Sequence, residues 1–175
     1  MTAVSSSGEA PRNAAARPEI ERVWEWLAAV PDPEIPVVSV VDLGIVRALR
    51  WRDGALEVTV TPTYSGCPAT AVIALEIEQA LRARGLNDIR IDVQLSPAWT
   101  TGWISRKGRE KLLAYGIAPP SDGACAGAMA AAGPVSCPRC RSEDTEEVSR
   151  FGSTPCKASW RCRSCLEPFD YFKSF

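Results

Sequence analysis

The strongest constraint on the fold of this chain is a pair of Cys-x-x-Cys motifs near its C-terminus. They are Cys137-Pro-Arg-Cys140 and Cys162-Arg-Ser-Cys165. Two residues between the cysteines let one turn present both sulfurs to a single ion, and two such turns close a tetrahedral four-sulfur site. A module of about 40 residues cannot bury enough apolar surface to fold alone, so metal binding should supply much of its stability. The spacing therefore predicts a structural metal site with no open position for catalysis.

Zinc, one ion per chain, is the metal that we expect in this site. Iron is the alternative, because the first motif resembles the knuckle of a rubredoxin. Rubredoxin knuckles usually have Gly after the second cysteine, whereas Arg141 and Leu166 stand there in this chain. Three β-rich segments accompany the motifs, at residues 146–151, 158–161 and 168–172. Together with the cysteines they predict a zinc ribbon over residues 135–175.

The charges of the ribbon argue against binding to nucleic acid. Basic and acidic residues nearly balance between residues 135 and 175, so no basic stripe is available to contact phosphates. Aromatic side chains near the C-terminus instead favour packing against the rest of the chain or a protein partner. These aromatic residues are Phe169, Tyr171, Phe172 and Phe175.

The overall composition limits the chemistry that the chain can perform. It has seven cysteines and no histidine, which excludes Ser–His and Cys–His nucleophile pairs and every His-containing metal site. Its 20 basic and 21 acidic residues provide no strong field for an anionic membrane. No apolar run is long enough for a signal peptide or a membrane span. We therefore expect a cytoplasmic protein, in which cysteines serve metal or redox chemistry rather than disulfides.

Residues 18–118 predict a small α+β domain with a three-stranded mixed sheet packed by helices. Helical spacing of apolar residues predicts helices at residues 18–30, 69–84 and 105–115. β-rich runs predict strands at residues 45–51, 56–61 and 88–95. The Asp53-Gly54 pair favours a hairpin between the first two strands, and the strand–helix–strand order places the third strand parallel to the second. The tryptophans of this domain are expected to be mainly core residues.

Two further segments complete the predicted domain organisation. Residues 1–17 are interpreted as a disordered leader, and residues 119–134 as a flexible linker rich in Ala, Gly and Pro. Cys125 lies in the linker without a partner at metal-ligand spacing, so we interpret it as an incidental thiol. Cys156 lies in the turn between two ribbon strands, and it is either a spare thiol or a second soft ligand.

Cys67 stands where the second strand of the first domain meets its second helix, and it is the first cysteine of the chain. A thiol at this place faces unpaired N–H groups and the positive end of the helix dipole, which favours the thiolate. Pro68 is expected to occupy the first helical turn. Cys67 is thus a possible soft nucleophile or metal ligand, or else a small residue that fills a tight turn. Its position alone does not decide between these interpretations.

Several motifs resemble those of known families. Asp32-Pro-Glu-Ile-Pro36, Asp42-Leu-Gly44 and Thr61-Pro-Thr-Tyr-Ser-Gly-Cys67-Pro68 resemble the MIP18 (DUF59) domain, which is associated with iron–sulfur cluster assembly. A longer pattern over residues 18–175 resembles the PaaD family (also called PaaJ) of the phenylacetyl-CoA epoxidase system. It consists of Ser96-Pro-Ala-Trp-Thr-Thr101, Tyr115-Gly-Ile-Ala-Pro-Pro120, the two Cys-x-x-Cys turns (the knuckles) and Glu167-Pro-Phe-Asp-Tyr-Phe-Lys173. Gly102 stands where members of that family often have an acidic residue.

The resemblance implies an accessory or maturation subunit of the multicomponent di-iron phenylacetyl-CoA 1,2-epoxidase of aerobic phenylacetate degradation. Its partners would be the oxygenase and reductase subunits. A carboxylate-bridged di-iron site needs Glu and Glu-x-x-His ligands from a helix bundle, which this chain lacks, so oxygenase chemistry would lie in those partners. The resemblance also implies a functional Cys67 thiol with a supporting loop. The residues expected in that loop are Asp42, Tyr64, Ser65, Gly66, Pro68, Thr100 and Thr101.

Three hypotheses follow for Cys67. In the first, it transiently binds iron or an iron–sulfur cluster for delivery, with further ligands from a second protomer in a homodimer, from a partner thiol or from Cys156. In the second, the protein is a purely structural docking subunit and Cys67 is merely packed. In the third, it is a thiol-dependent enzyme. No base lies near Cys67 in sequence, so we expect no intrinsic catalysis.

Overall fold

The computed structural model describes residues 17–120 and 135–173. Most of the expected leader and linker, as well as Cys125 and Phe175, lie outside these ranges. The helices are α1 (Ile20–Leu27), α2 (Thr70–Arg82) and α3 (Arg106–Tyr115), with a short 3-10 turn at Thr101–Trp103 before α3. The strands are β1 (Val46–Arg52), β2 (Ala55–Val60), β3 (Ile89–Val93), β4 (Ile117–Ala118), β5 (Thr145–Ser149), β6 (Lys157–Cys162) and β7 (Pro168–Phe172). The predicted α+β class is confirmed.

The first sheet has the strand order β1-β2-β3. Its β1–β2 hairpin is antiparallel, and the turn residues Asp53 and Gly54 have φ of 50° and 91°. Positive φ at both central residues suits the right-handed twist of the two strands. β3 runs parallel to β2, so the helix between them is a crossover connection. The predicted hairpin and parallel third strand are both confirmed.

The core of the first unit lies between this sheet and the helices. Along α2, residues Ile73, Ile77 and Leu81 recur every four positions and are almost fully buried. They belong to one cluster with Val23 and Leu27 of α1 and with the buried residues of β2. Trp99 is buried in this cluster, and four more tryptophans pack against it, as predicted: Trp24, Trp26, Trp51 and Trp103.

The second sheet has four strands in the order β4-β7-β6-β5, one more than expected. The additional strand, β4, follows α3 directly and pairs in parallel with β7 through Ile117–Asp170 and Ala118–Tyr171. A strand from the first part of the chain is therefore built into the ribbon sheet. Residues of the ribbon are likewise built into the first unit, because Cys156 and Phe172 belong to its core cluster.

No helix within the described ranges is both long and apolar enough to cross a membrane.

Candidate functional site

The four knuckle cysteines come together as the spacing predicts. Their ligand atoms all lie within 4.8 Å of one another. The Sγ atoms of Cys137 and Cys165 are 3.7 Å apart, and those of Cys140 and Cys162 are 3.6 Å apart. Zinc–sulfur bonds of about 2.3 Å in a tetrahedron imply sulfur–sulfur distances of about 3.8 Å, so the four donors fit a single tetrahedral ion.

The backbone of the two knuckles supports the same interpretation. Arg141 and Leu166, which follow the second cysteine of each pair, have φ of 66° and 63°. These are left-handed conformations that Gly adopts without strain. The two knuckles therefore have the turn geometry of knuckles that carry Gly after the second cysteine, although Arg141 and Leu166 stand there in this chain. A hydrogen bond of 2.7 Å between the hydroxyls of Ser142 and Ser164 joins one knuckle to the other.

The protonation of the knuckle thiols also favours a metal. The backbone N–H of Cys165 lies 3.4 Å from the sulfur of Cys162 and donates to it. This hydrogen bond, aided by neighbouring thiols, lowers the pKa of Cys162 to about 6. At least one thiolate is thus available at neutral pH for the first metal–sulfur bond.

Cys67 is half-buried in the turn that leads from β2 into α2. Its backbone N–H donates to the Tyr64 carbonyl at 3.1 Å, and its own carbonyl accepts the Thr70 hydroxyl at 2.9 Å. α2 begins at Thr70 with Ala69 at the cap position. Pro68 therefore lies in the preceding turn, and its expected place in the first helical turn is wrong.

The structure overturns the expectation that Cys67 favours the thiolate. Burial raises the pKa of the Cys67 thiol, and the carboxylates of Glu34 and Asp32 raise it further. The Ala69 N–H and the Thr70 hydroxyl lower that pKa, as a helix N-terminus should. Their effect is smaller than that of burial and the two carboxylates. The thiol is therefore protonated at neutral pH.

A narrow pocket in front of Cys67 joins the two parts of the molecule. Two carboxylates and two thiols line it, from Asp32, Glu34, Cys67 and Cys156, beside Thr63. Its remaining walls are apolar and consist of Ile35, Leu43, Ile45, Ala69, Ile73 and Phe172. Cys156 and Phe172 come from the ribbon, so this pocket exists only when the ribbon packs on the first unit.

The Asp-Pro-Glu-Ile-Pro motif shapes one wall of the pocket. Oδ1 of Asp32 accepts the backbone N–H groups of Glu34 at 3.0 Å and Ile35 at 2.8 Å, which folds the motif into a tight turn. This turn brings Oε2 of Glu34 to 3.6 Å from Sγ of Cys156. Burial raises the pKa of Asp32, although the two backbone hydrogen bonds oppose the effect.

The residues expected to support Cys67 fall into two groups. Tyr64 belongs with Cys67, because their side chains interact through a hydrogen bond. Burial, followed by the charges of Cys67 and Glu34, raises the pKa of Tyr64 to about 12. Ser65, Gly66 and Pro68 belong to the same turn.

The second group lies elsewhere. Asp42 holds α3, because its carboxylate accepts the Ser39 N–H at 3.1 Å and the Lys111 ammonium at 2.5 Å. Thr101 is buried, and its carbonyl accepts the Arg109 guanidinium at 2.8 Å. Asp42, Thr100 and Thr101 are absent from the described lining of the Cys67 pocket. Asp42 directly precedes Leu43, which does line the pocket.

Sequence reasoning missed Asp32, Glu34, Thr63 and Phe172 as residues of the pocket. The Asp-Pro-Glu-Ile-Pro motif was the available signal for the two acids, because polar residues fixed between prolines often serve a site rather than a core. Nothing local in the sequence places Phe172 beside Cys67, since the two lie in different parts of the chain.

Both parts of the chain are similar to known proteins. Residues 20–95 match the family model described as an iron–sulfur cluster assembly protein, and residues 121–173 match the one described as the PaaD zinc beta ribbon domain. A protein of Escherichia coli, described as the putative D component of 1,2-phenylacetyl-CoA epoxidase, is 46% identical over 90% of this chain and 94% of its own length.

More distant relatives match the first part only. An Fe-S protein maturation auxiliary factor of Porphyromonas gingivalis is 32% identical over 53% of this chain and 89% of its own length. Among solved structures, a DUF59 domain from Bacillus anthracis is 28% identical, with a TM-score of 0.48, over 53% of this chain and 89% of that chain.

Proposed function

The chain belongs to the PaaD family of phenylacetyl-CoA epoxidase components, and we propose that it helps its partner subunits to acquire iron or an iron–sulfur cluster. In this proposal it is an accessory or maturation subunit of the multicomponent di-iron phenylacetyl-CoA 1,2-epoxidase of aerobic phenylacetate degradation. The recipients are the oxygenase and reductase subunits. It acts in the cytoplasm, where thiols remain reduced.

One observation carries the proposal: the Cys67 pocket combines soft and anionic ligand groups within a domain that matches iron–sulfur assembly proteins. Thiolate sulfur is the protein ligand of iron–sulfur clusters, and carboxylates bind ferrous iron. Cys67 is also only partly buried.

Each residue of the pocket has its own role in this proposal. The Cys67 thiol loses its proton to solvent as its sulfur bonds to the iron cargo, and the carboxylate of Glu34 offsets the charge of that cargo. The side chain of Tyr64 is hydrogen-bonded to that of Cys67. Because Cys67 and Glu34 leave further positions of the metal unfilled, ligands of a recipient can replace them one at a time.

The four knuckle cysteines have a different role in this proposal. They hold one structural zinc, which fixes the ribbon and leaves no position open for exchange. The ribbon then presents β5, with the exposed side chains of Val148 and Phe151 nearby, for contact with a partner subunit. We propose no intrinsic catalysis.

The second candidate function is a structural docking subunit that transfers no metal. The apolar exposed side chains Val148 and Phe151 on the ribbon favour it. A homodimer that brings two Cys67 pockets together is a further arrangement, and light scattering of the purified protein measures it directly.

Replacing Cys67 by Ser separates the two functions. We expect cells with this variant and all other subunits to lose phenylacetyl-CoA epoxidation, with iron depleted from the purified partner subunits. Cys125→Ser is the matched control, because it removes a cysteine of the predicted linker, and it should leave both readouts unchanged. Full iron content in the partners of the Cys67→Ser variant would exclude the maturation role and leave the docking role.

A further inference from the structure

We propose that the outer edge of strand β3 is an interface at which two copies of this chain pair, with their β3 strands antiparallel and centred on Ile91. The pairing joins two three-stranded sheets into one continuous sheet. It involves neither Cys67 nor the knuckles, so it does not depend on the metal chemistry proposed for Cys67.

The two edges of the first sheet differ in their protection against pairing. β1, at one edge, has an irregular register at its start and bears three arginines, Arg47, Arg50 and Arg52. Bulges and charges of one sign keep an edge strand from pairing with another chain. β3, at the other edge, is in regular register with β2 over its whole length, and its two charged residues have opposite signs. No described segment of the chain pairs with the outer side of β3, which is therefore the available edge.

The backbone groups at this edge belong to the odd-numbered residues of β3. At the start of the strand, the Leu56 N–H donates to the Asp88 carbonyl at 2.8 Å. At its end, the Gln94 N–H donates to the Val60 carbonyl at 2.8 Å. Even-numbered residues thus direct their backbone groups to β2, because these groups alternate between the two sides of a strand. The N–H and C=O groups at the outer edge are those of Ile89, Ile91 and Val93.

An antiparallel copy centred on Ile91 matches this edge residue by residue. Ile91 then stands opposite its own copy, and Ile89 stands opposite Val93. Because the backbone groups of these residues face outward, each pair exchanges both of its N–H to carbonyl hydrogen bonds. The interface is isologous, since the same surface of each copy meets the other.

The same register pairs opposite charges. Arg90 of each copy stands opposite Asp92 of the other, at positions where side chains on paired strands approach most closely. Both side chains are exposed in the single chain. Centring the pair on Arg90 or on Asp92 instead would place two like charges opposite each other. Opposite charges across strands attract and like charges repel, so the charges select the register centred on Ile91.

Pairing also covers apolar surface on the helix-facing side of the sheet. Ile89 and Ile91 pack partly against the core cluster, whereas Val93 at the end of the strand is 46% exposed. In the proposed register, Val93 lies beside Ile89 of the second copy. The second strand thus shields an apolar side chain that a single chain leaves in water.

This dimer differs from one that joins the Cys67 pockets. Val60 and Val93 are partners in the parallel register, so the C-terminal ends of β2 and β3 lie side by side. Cys67 follows β2 at that end of the sheet. An antiparallel second copy directs the corresponding end the other way. The two pockets therefore lie at opposite ends of the joined sheet, and each can meet its own recipient.

Sedimentation equilibrium of the reduced, zinc-loaded, full-length protein over a concentration series tests the interface. We expect the wild type to form a dimer. Arg90→Asp should weaken dimerisation by about tenfold or more, because both cross-strand charge pairs become repulsive. Asp92→Arg should have the same effect. The double variant that carries both changes should dimerise like the wild type, because its charges are exchanged rather than removed.

Amide hydrogen exchange distinguishes this interface from any other dimer. The amides of Ile89, Ile91 and Val93 should be protected in the wild-type dimer and exchange rapidly in the two single variants. The amides at positions 90 and 92 bond to β2, so their protection in every variant shows that the sheet remains folded. Arg50→Asp is the matched control, because it reverses an exposed strand arginine at the opposite edge, and it should leave both readouts unchanged.

Three results would overturn the inference. The first is a wild-type protein that stays monomeric throughout the concentration series. The second is a dimer that both single variants leave intact, because such a dimer uses another surface. The third is protection of the odd-numbered amides in a monomer, which would mean that another segment of the same chain covers the edge. The iron content of the partner subunits tests the proposed function separately, since these substitutions do not touch the lining of the Cys67 pocket.

Discussion

The rings of Trp99 and Phe172 pack against each other, with centroids 6.0 Å apart and planes inclined by 48°. Trp99 belongs to the first unit, where its indole N–H donates to the Leu43 carbonyl at 2.9 Å. Phe172 ends the last ribbon strand and is 1% exposed. The ribbon is thus anchored in the core of the first unit by a fully buried aromatic side chain.

Replacing Phe172 by Ala should destabilise the whole chain. Removal of a fully buried aromatic side chain costs about 3 to 5 kcal/mol of unfolding free energy, because contacts are lost and a cavity remains. Chemical denaturation monitored by tryptophan fluorescence measures the change, and Trp99 reports on the site directly.

Phe151→Ala is the matched control for that change. Phe151 is 77% exposed, so its removal should alter the unfolding free energy by no more than about 0.5 kcal/mol. Similar values for the two variants would mean that the ribbon is not anchored through Phe172.

Replacing Cys140 by Ser should remove the knuckle metal and loosen both parts of the molecule. Three sulfurs hold the ion less tightly than four, and the ribbon depends on it. Because β4 pairs with β7, the amide protons of Ile117 and Ala118 should exchange faster, which hydrogen exchange measures. Metal analysis gives the stoichiometry, with Cys125→Ser as control. Unchanged exchange at β4 in a metal-free variant would contradict the prediction.

Asp42 should stabilise the fold at neutral pH and cease to do so in acid. Burial tends to raise the pKa of Asp42, but hydrogen bonds from Lys111 and Ser39 outweigh it and lower the pKa below its usual 3.8. When the pKa of a carboxyl is lower in the folded protein than in the unfolded chain, its ionisation stabilises the fold above the unfolded-state pKa. This stability is lost as the pH falls through the folded-state pKa. Asp42→Asn should therefore cost about 2 kcal/mol at pH 7 and much less at pH 3, as measured by urea unfolding.

Asp32 should behave in the opposite way. Burial raises its pKa, so its ionised form opposes folding at neutral pH. An Asn at this position keeps the oxygen that accepts the N–H groups of Glu34 and Ile35. Asp32→Asn should leave the urea midpoint at pH 7 unchanged or raise it. A loss of stability as large as that of Asp42→Asn would show that the charge of Asp32 is needed for the fold.

Removing the charge of Glu34 should make Cys67 more reactive. Burial raises the pKa of Cys67 and the Glu34 carboxylate adds to this effect, so Glu34→Gln lowers that pKa. Below the pKa, the thiolate fraction rises about tenfold for each unit by which the pKa falls. Iodoacetamide should modify Cys67 at pH 8 at least about threefold faster in this variant, as measured by peptide mass spectrometry. The exposed Glu25→Gln should show no change, and equal rates in all three proteins would contradict the prediction.

Local patterns in the sequence were sufficient to predict the elements of the first unit and the knuckle site. The four-residue spacing of Ile73, Ile77 and Leu81 predicted both ends of α2 to within two residues, and the Asp53-Gly54 pair predicted the hairpin. Cysteine spacing predicted the four-sulfur cluster, because its ligands are close in sequence within each pair. Such features depend on neighbours along the chain, which the sequence displays directly.

Contacts between distant segments could not be predicted in the same way. β4 is only two residues long and has no periodicity to recognise, yet its pairing joins the two parts of the chain. The pKa of Cys67 is raised by burial and then by the charges of Glu34 and Asp32, which lie far from it in sequence. The helix N-terminus was visible in the sequence, whereas the two carboxylates that oppose it became visible only in the folded chain.

The position of Cys156 in the turn between β5 and β6 has a thermodynamic consequence for the knuckle metal. Cys156 belongs to the core cluster of the first unit, so the packing of the ribbon on that unit and the binding of a metal by the knuckles both favour the folded ribbon. Two processes that favour one state of a protein strengthen each other by the same factor. Loss of the metal would thus weaken the packing of the ribbon on the first unit, and loss of that packing would weaken the retention of the metal.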